Sequence, residues 1–146
     1  MPRMTRILYV EDEADLREVL VEDFEEEGFE MVSASNGKEA LGKLESFRAD
    51  LVITGWLMPV MTGIQLIREM RREGSGFTAT PVILVSAYTS RAHIEEALSI
   101  GACRFVTKPV DFIALLKSVR ELCRPGGNAL GECSCDPAVP ATAIGD

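Results

Sequence analysis

Glu11 and Asp12 are adjacent carboxylates that follow the apolar run Ile7-Leu8-Tyr9-Val10. Such a pair supplies two hard oxygen donors, and magnesium commonly takes one or two carboxylates while keeping several waters. Ser86 and Lys108 end two other apolar runs with a hydroxyl and an ammonium group, and Gly55 ends a third with no side chain at all. Taken singly these are weak signals, because an acidic pair at a strand end is usually solvated surface and a lone Lys-Pro says less still. Their chemistry depends on whether the chain gathers these ends at one place.

The elements that would gather them are legible in order. Leu51 to Gly55, apolar except for one β-branched Thr, reads as a central parallel strand covered on both faces, since such strands lack polar alternation. Pro59 disfavours helix at Met58, and Thr62 with Gln65 three residues on forms a capping box that opens the next helix. Strands are expected at Thr5 to Val10, Phe29 to Ser33, Pro81 to Ser86 and Cys103 to Thr107. Between them, Leu16, Val19, Leu20 and Phe24 repeat at helical spacing. Ala40, Leu41, Leu44 and Phe47 do so behind an Asn36/Glu39 capping box, as do Ile64, Leu66, Ile67 and Met70. A fourth helix runs from about Thr89 to Ile100, and Asp111 caps a fifth carrying Ile113, Leu115, Leu116 and Val119. Strands alternating with helices imply an α/β fold with a parallel sheet, helices on both faces and right-handed crossovers. The carboxyl ends of the strands then border the functional crevice.

Four motifs fall in order on these βα units: Glu11-Asp12, Trp56-Leu57-Met58-Pro59, Ser86-Ala87, and Gly101-Ala102-x-x-Phe105-x-x-Lys108-Pro109. Over residues 4–123 the chain resembles the receiver domain of two-component response regulators. The resemblance implies a flavodoxin-like (βα)5 doubly wound sheet of strand order 2-1-3-4-5, the order of a chemotaxis receiver. It also implies magnesium held by Glu11, Asp12, an acceptor aspartate and the Leu57 carbonyl. Ser86 corresponds to the switch hydroxyl that bonds a phosphoryl oxygen, Lys108 to the pocket cation, and Phe105 to the aromatic that turns inward as the hydroxyl moves. Pro109 falls where the family has a cis peptide.

The acceptor aspartate of the family corresponds to Gly55. Without a carboxylate no acyl phosphate forms there, and the metal loses a ligand, so magnesium binding is expected to be weak or vestigial. Thr54 points to the opposite face of its strand and Asp50 sits at the strand's other end, so neither replaces it. The resemblance then implies a receiver in phosphorelay signalling, degenerate at its acceptor, that works as a phosphorylation-independent protein-binding module. The alternative is a phosphotransfer receiver whose natural acceptor has been replaced by Gly55. The expected partner is a histidine kinase or another two-component protein. It would meet the face built from the fourth helix, fifth strand and fifth helix, with Tyr88, Arg91, His93, Cys103, Arg104 and Phe105 as candidates. His93, the one histidine, is read as a surface residue, and the chain as a monomer or weak dimer.

Composition sets the remaining bounds. The chain has 146 residues and a net charge of −8, so it is expected to form one domain without room for an output domain and without nucleic-acid binding, which needs clustered Lys and Arg. It has no glycine-rich phosphate loop, no paired catalytic histidines and no nucleophile elbow, so no enzyme activity is expected. No signal peptide or membrane span is read, which implies a cytoplasmic protein with Cys103, Cys123, Cys133 and Cys135 reduced. Residues 124–146, rich in Gly and Pro, are expected to be a flexible tail whose Cys133-Ser134-Cys135 falls short of a four-ligand zinc site.

Overall fold

The computed structural model describes residues 4–87 and 90–123, together with the backbone of Ala143–Ile144. Strands and helices alternate as β1 (Arg6–Val10), α1 (Ala14–Glu26), β2 (Glu30–Ala34), α2 (Gly37–Ser46), β3 (Leu51–Gly55), α3 (Gly63–Arg71), β4 (Val82–Ser86), α4 (Arg91–Ser99), β5 (Arg104–Thr107) and α5 (Phe112–Leu122). The five strands lie in the order β2-β1-β3-β4-β5, every neighbouring pair parallel. This is the doubly wound flavodoxin-like order implied by the motifs. The sheet gains a short sixth strand, β6 (Ala143–Ile144), paired in parallel with β5 through Phe105↔Ala143 and Val106↔Ile144. The tail therefore contributes to the sheet at these two positions, where no structure was expected. The rest of 124–146, with Cys133 and Cys135, lies outside the described residues, as does Tyr88.

Alternation along the central strands explains why they carry almost no polar residue. Ile7, Tyr9, Leu51, Ile53, Ile83 and Val85 face a core closed by Leu20 and Phe24 of α1 and Leu115, Leu116, Val119 and Leu122 of α5. Leu8, Val10, Val52, Val82 and Leu84 face a second core, with Ala40 and Leu44 of α2, Leu66, Ile67 and Met70 of α3 and Ala97 of α4. With both faces covered, a polar side chain in mid-strand would lose its water without replacement. Phe24 anchors the first core, fully buried and edge-on to Phe29 and Phe112 at centroid distances of 5.6 and 4.9 Å.

Two residues expected in the buried stripes lie outside them: Val19 is 55% and Ile113 71% exposed. At about 100° per residue, Val19 falls to one side of the line through Leu16, Leu20 and Phe24, and Ile113 lies about 60° outside Leu116 and further still from Val119 and Leu115. Caps fix the helix starts. Thr62 and Gln65 form a complete capping box, whereas Asn36 makes half of one: it accepts from Glu39 N–H at 2.9 Å, but the Glu39 carboxylate turns to the Ser35 hydroxyl at 2.7 Å. Asp111 accepts from the N–H groups of Ile113 and Ala114, and α4 starts behind Ser90.

The cysteine expectation is overturned, because Cys103 and Cys123 are both disulfide-bonded. Both are buried in the α1/α5 core. Sequence spacing carries no information on which thiols a fold brings within bonding range, and compartment arguments address only which state persists.

Candidate functional site

Parallel strands deliver their carboxyl ends to one edge of the sheet, and there the chain places Glu11 after β1, Gly55 at the end of β3, Ser86 at the end of β4 and Lys108 after β5. Strand alternation splits the acidic pair. Glu11 is 2% exposed and turned into the pocket, whereas Asp12 is exposed. Lys108 Nζ lies 3.3 Å from Glu11 Oε1, and the Glu13 N–H donates to Glu11 Oε2 at 3.1 Å. Burial raises the Glu11 carboxyl above its ordinary range, as does its hydrogen bond with Asp12, while the Glu13 N–H and Lys108 pull it back. Beneath it Tyr9 is buried, and its phenol is pushed up by burial and then by the Glu11 charge, so it stays neutral.

Gly55 forms the floor. A Cβ at this position would lie 3.7 Å from Glu11 Oε1 and 3.7 Å from Met58 Cγ, which is ordinary contact. Thr54 points away, as alternation requires, and donates to the Gly55 carbonyl at 3.0 Å. Asp50, at the far end of β3, accepts from the Arg6 N–H at 2.8 Å and takes no part in the pocket. Gly63 is a different case: its Cβ would lie 2.0 Å from the Gly55 carbonyl oxygen, so only glycine lets the start of α3 close on the end of β3. That approach is held by Gly63 N–H donating to the Trp56 carbonyl at 2.8 Å.

Ser86 is buried beside Thr107, its register partner, and the Lys108 N–H donates to the Ser86 carbonyl at 2.9 Å. The Lys108-Pro109 peptide is cis. Phe105 is fully buried, edge-on to Trp56 at 6.3 Å, and Trp56 is edge-on to His93 at 5.3 Å. His93, expected as a plain surface residue, is therefore half-buried against Trp56. On the expected partner face, Arg91 is exposed, but Cys103, Arg104 and Phe105 are buried and cannot present side chains to a partner.

Three features of the edge were not anticipated. Arg17 Nη1 donates to the Glu11 carbonyl at 2.6 Å, reaching back from the first turn of α1, and Glu13 supplies a backbone donor. Val60 holds φ +70°, with the Met61 N–H donating to the Pro59 carbonyl at 2.7 Å around it. A β-branched residue there is strained, and such strain gathers at loops whose shape matters. Pro59 next to Val60 was the available signal for a tight turn, though not for its sign.

A resident magnesium ion fits this donor set poorly. Among the described residues no group of three metal-ligating side chains converges. The better placed carboxylate, Glu11, already carries Lys108 and the Glu13 N–H and shares a hydrogen bond with Asp12, so neither carboxylate of the expected set is uncommitted.

The sequence profile of the response regulator receiver domain matches residues 7–120, and the chain belongs to that family. It is 41% identical to the regulatory protein AtoC of Escherichia coli over 111 residues, covering 76% of this chain and 23% of that protein. It thus spans about a quarter of that relative's length, and 56% of the next curated relative's. Its fold superimposes on the chemotaxis response regulator CheY4 of Vibrio cholerae with a TM-score of 0.76 and 29% identity, covering 82% of this chain and 98% of that one. The CheX-CheY complex of Borrelia burgdorferi, which holds BeF3 and magnesium, gives a TM-score of 0.73 and 28% identity over 80% of this chain and 87% of that one. The chain is a two-component receiver domain with the five-stranded order of the CheY-like fold. No helix among the described residues is long and apolar enough to cross a membrane.

Proposed function

We propose that this receiver works without a phosphoryl group, as a protein-binding module of a two-component pathway. The observation that carries the reading is the ion pair between Lys108 and Glu11 across a floor made by Gly55. In a phosphorylatable pocket the ammonium group must be free to neutralise the transferred phosphoryl oxygens, and a carboxylate must be present to accept the group. Here the position matching the acceptor offers no side-chain oxygen, and the ammonium group is held by Glu11 at 3.3 Å. Magnesium is vestigial on this reading. The protein acts as no enzyme, works in the cytoplasm and makes no contact with nucleic acid. Its partner is a histidine kinase or another signalling protein that docks on the α4-β5-α5 face. The exposed part of that face includes Arg91 of α4 and Ile113 of α5.

A second reading has one observation in its favour. The space above Gly55 accepts a Cβ without a clash, so a phosphotransfer receiver that has exchanged its acceptor for glycine fits the same backbone. One titration separates working from vestigial pockets: beryllofluoride with magnesium, followed by amide chemical shifts. The proposed function expects no saturable shifts at Glu11, Trp56, Ser86 or Lys108. Saturable shifts at all four would overturn it.

A further inference from the structure

The least anchored helix of the domain is α4. Its only fully buried residue is Ala97, whereas α3 and α5 each bury five. Its amino-terminal half meets the body of the protein through Ile94, packed against the second core, and through rings: His93 lies edge-on to Trp56, which leads out of β3, and Trp56 lies edge-on to Phe105 of β5. The His93 ring is itself oriented, because Nδ1 is hydrogen-bonded to the Ser90 hydroxyl that caps the helix. Edge-to-face aromatic contacts are directional as well as apolar, so a column of three rings fixes both the position and the tilt of what it joins.

We propose that Trp56 is the link between the pocket edge and α4 in this chain, that His93 is the positioning residue through which α4 engages it, and that this column holds α4 docked and Phe105 inward with no ligand in the pocket. The inference rests on the phosphorylation-independent reading above and supplies its physical basis. If ring contacts set α4, the α4-β5-α5 face is presented in one form whatever happens at position 55. Trp56 is joined to the pocket through its backbone as well: its N–H donates to the Val85 carbonyl at 3.1 Å and its carbonyl accepts from Gly63 N–H. A shift of the β3 end would therefore move the ring that His93 abuts.

Trp56 is the only tryptophan, so its emission reports on the column directly. The test is acrylamide quenching of the full chain and of His93→Ala, His93→Phe and Arg91→Ala. Alanine keeps the cap, because the bond to Ser90 Oγ comes from the residue-93 backbone N–H, and it is a better helix former than histidine. Far-UV circular dichroism checks that the fold is retained. In His93→Ala the quenching constant should rise about twofold, and amide exchange in α4 should quicken about tenfold. His93→Phe should restore both, since it returns a ring, and Arg91→Ala should leave both unchanged, since Arg91 faces solvent. Quenching in His93→Ala equal to the parent, or no rescue by phenylalanine, would overturn the link. Failure of the functional reading would show elsewhere, as a phosphoryl adduct, and would leave the quenching comparison intact.

Discussion

Replacing Gly55 by aspartate tests whether the pocket lacks only its carboxylate. The new Cβ meets Glu11 Oε1 at 3.7 Å and Met58 Cγ at 3.7 Å, so the first atom of the side chain enters at ordinary contact distance. Replacing a glycine at this strand end favours the fold by at most about 0.5–1 kcal/mol, through the lower entropy of the unfolded chain. Against this, a second ionised carboxylate about 4 Å from Glu11 costs about 4 kcal/mol at an effective dielectric constant near 20, of which Lys108 cancels a large part. Without metal the variant should therefore be less stable than the parent by about 1–3 kcal/mol. Magnesium at one hundred times its Kd adds about 2.7 kcal/mol to a folded state that alone binds it, enough to reverse the sign. In thermal melts the variant should gain about 8 °C on adding saturating magnesium, and the parent almost nothing. Equal magnesium responses in the two proteins, or none in the variant, would refute the reasoning that Gly55 alone removes the metal site.

Gly63→Ala should cost more than about 2 kcal/mol, read from urea midpoints, because its Cβ would overlap the Gly55 carbonyl oxygen at 2.0 Å; a near-neutral result would mean that the α3 start can retreat. Val60→Asn should stabilise by about 1 kcal/mol, since asparagine tolerates φ +70° and valine does not; a loss of stability would show that the Val60 side chain is held by contacts. The Glu11 carboxyl is raised above 4.5, so its neutral form favours the fold: that contribution is full below about pH 4.5 and is lost as pH rises through the raised folded value. Glu11→Gln should accordingly gain stability relative to the parent as pH rises through that window, and a difference that shrinks with rising pH would contradict it.

The sheet and the convergence of the pocket were legible because both follow from local rules. Continuous apolar runs declare strands covered on both faces, and parallel strands carry their terminal residues to one edge, so Glu11, Asp12, Ser86 and Lys108 are expected there together; the structure pairs Lys108 with Glu11 and leaves Asp12 exposed. Strand order came from the family resemblance and not from alternation. What sequence could not show depends on distances between segments remote in the chain. The burial of Glu11 against the exposure of Asp12 needs the β1 pleat and the reach of Lys108 from β5, and the contact of His93 with Trp56 needs the docking angle of α4. Buried Arg104 looked like a surface candidate because charge predicts exposure, yet its partner, Glu121 at 3.6 Å, comes from α5. The disulfide bonding of Cys103 and Cys123, and the pairing of Ala143–Ile144 with β5, likewise depend on folded geometry.

The central claim is that this receiver carries no acceptor for a phosphoryl group. Intact-mass spectrometry after incubation with acetyl phosphate and magnesium addresses it directly, with Gly55→Asp run in parallel. The parent should keep its unmodified mass, while the aspartate variant should gain one acid-labile phosphoryl group. A stoichiometric adduct on the parent, mapped to any residue of the Glu11/Lys108 pocket, would contradict the account.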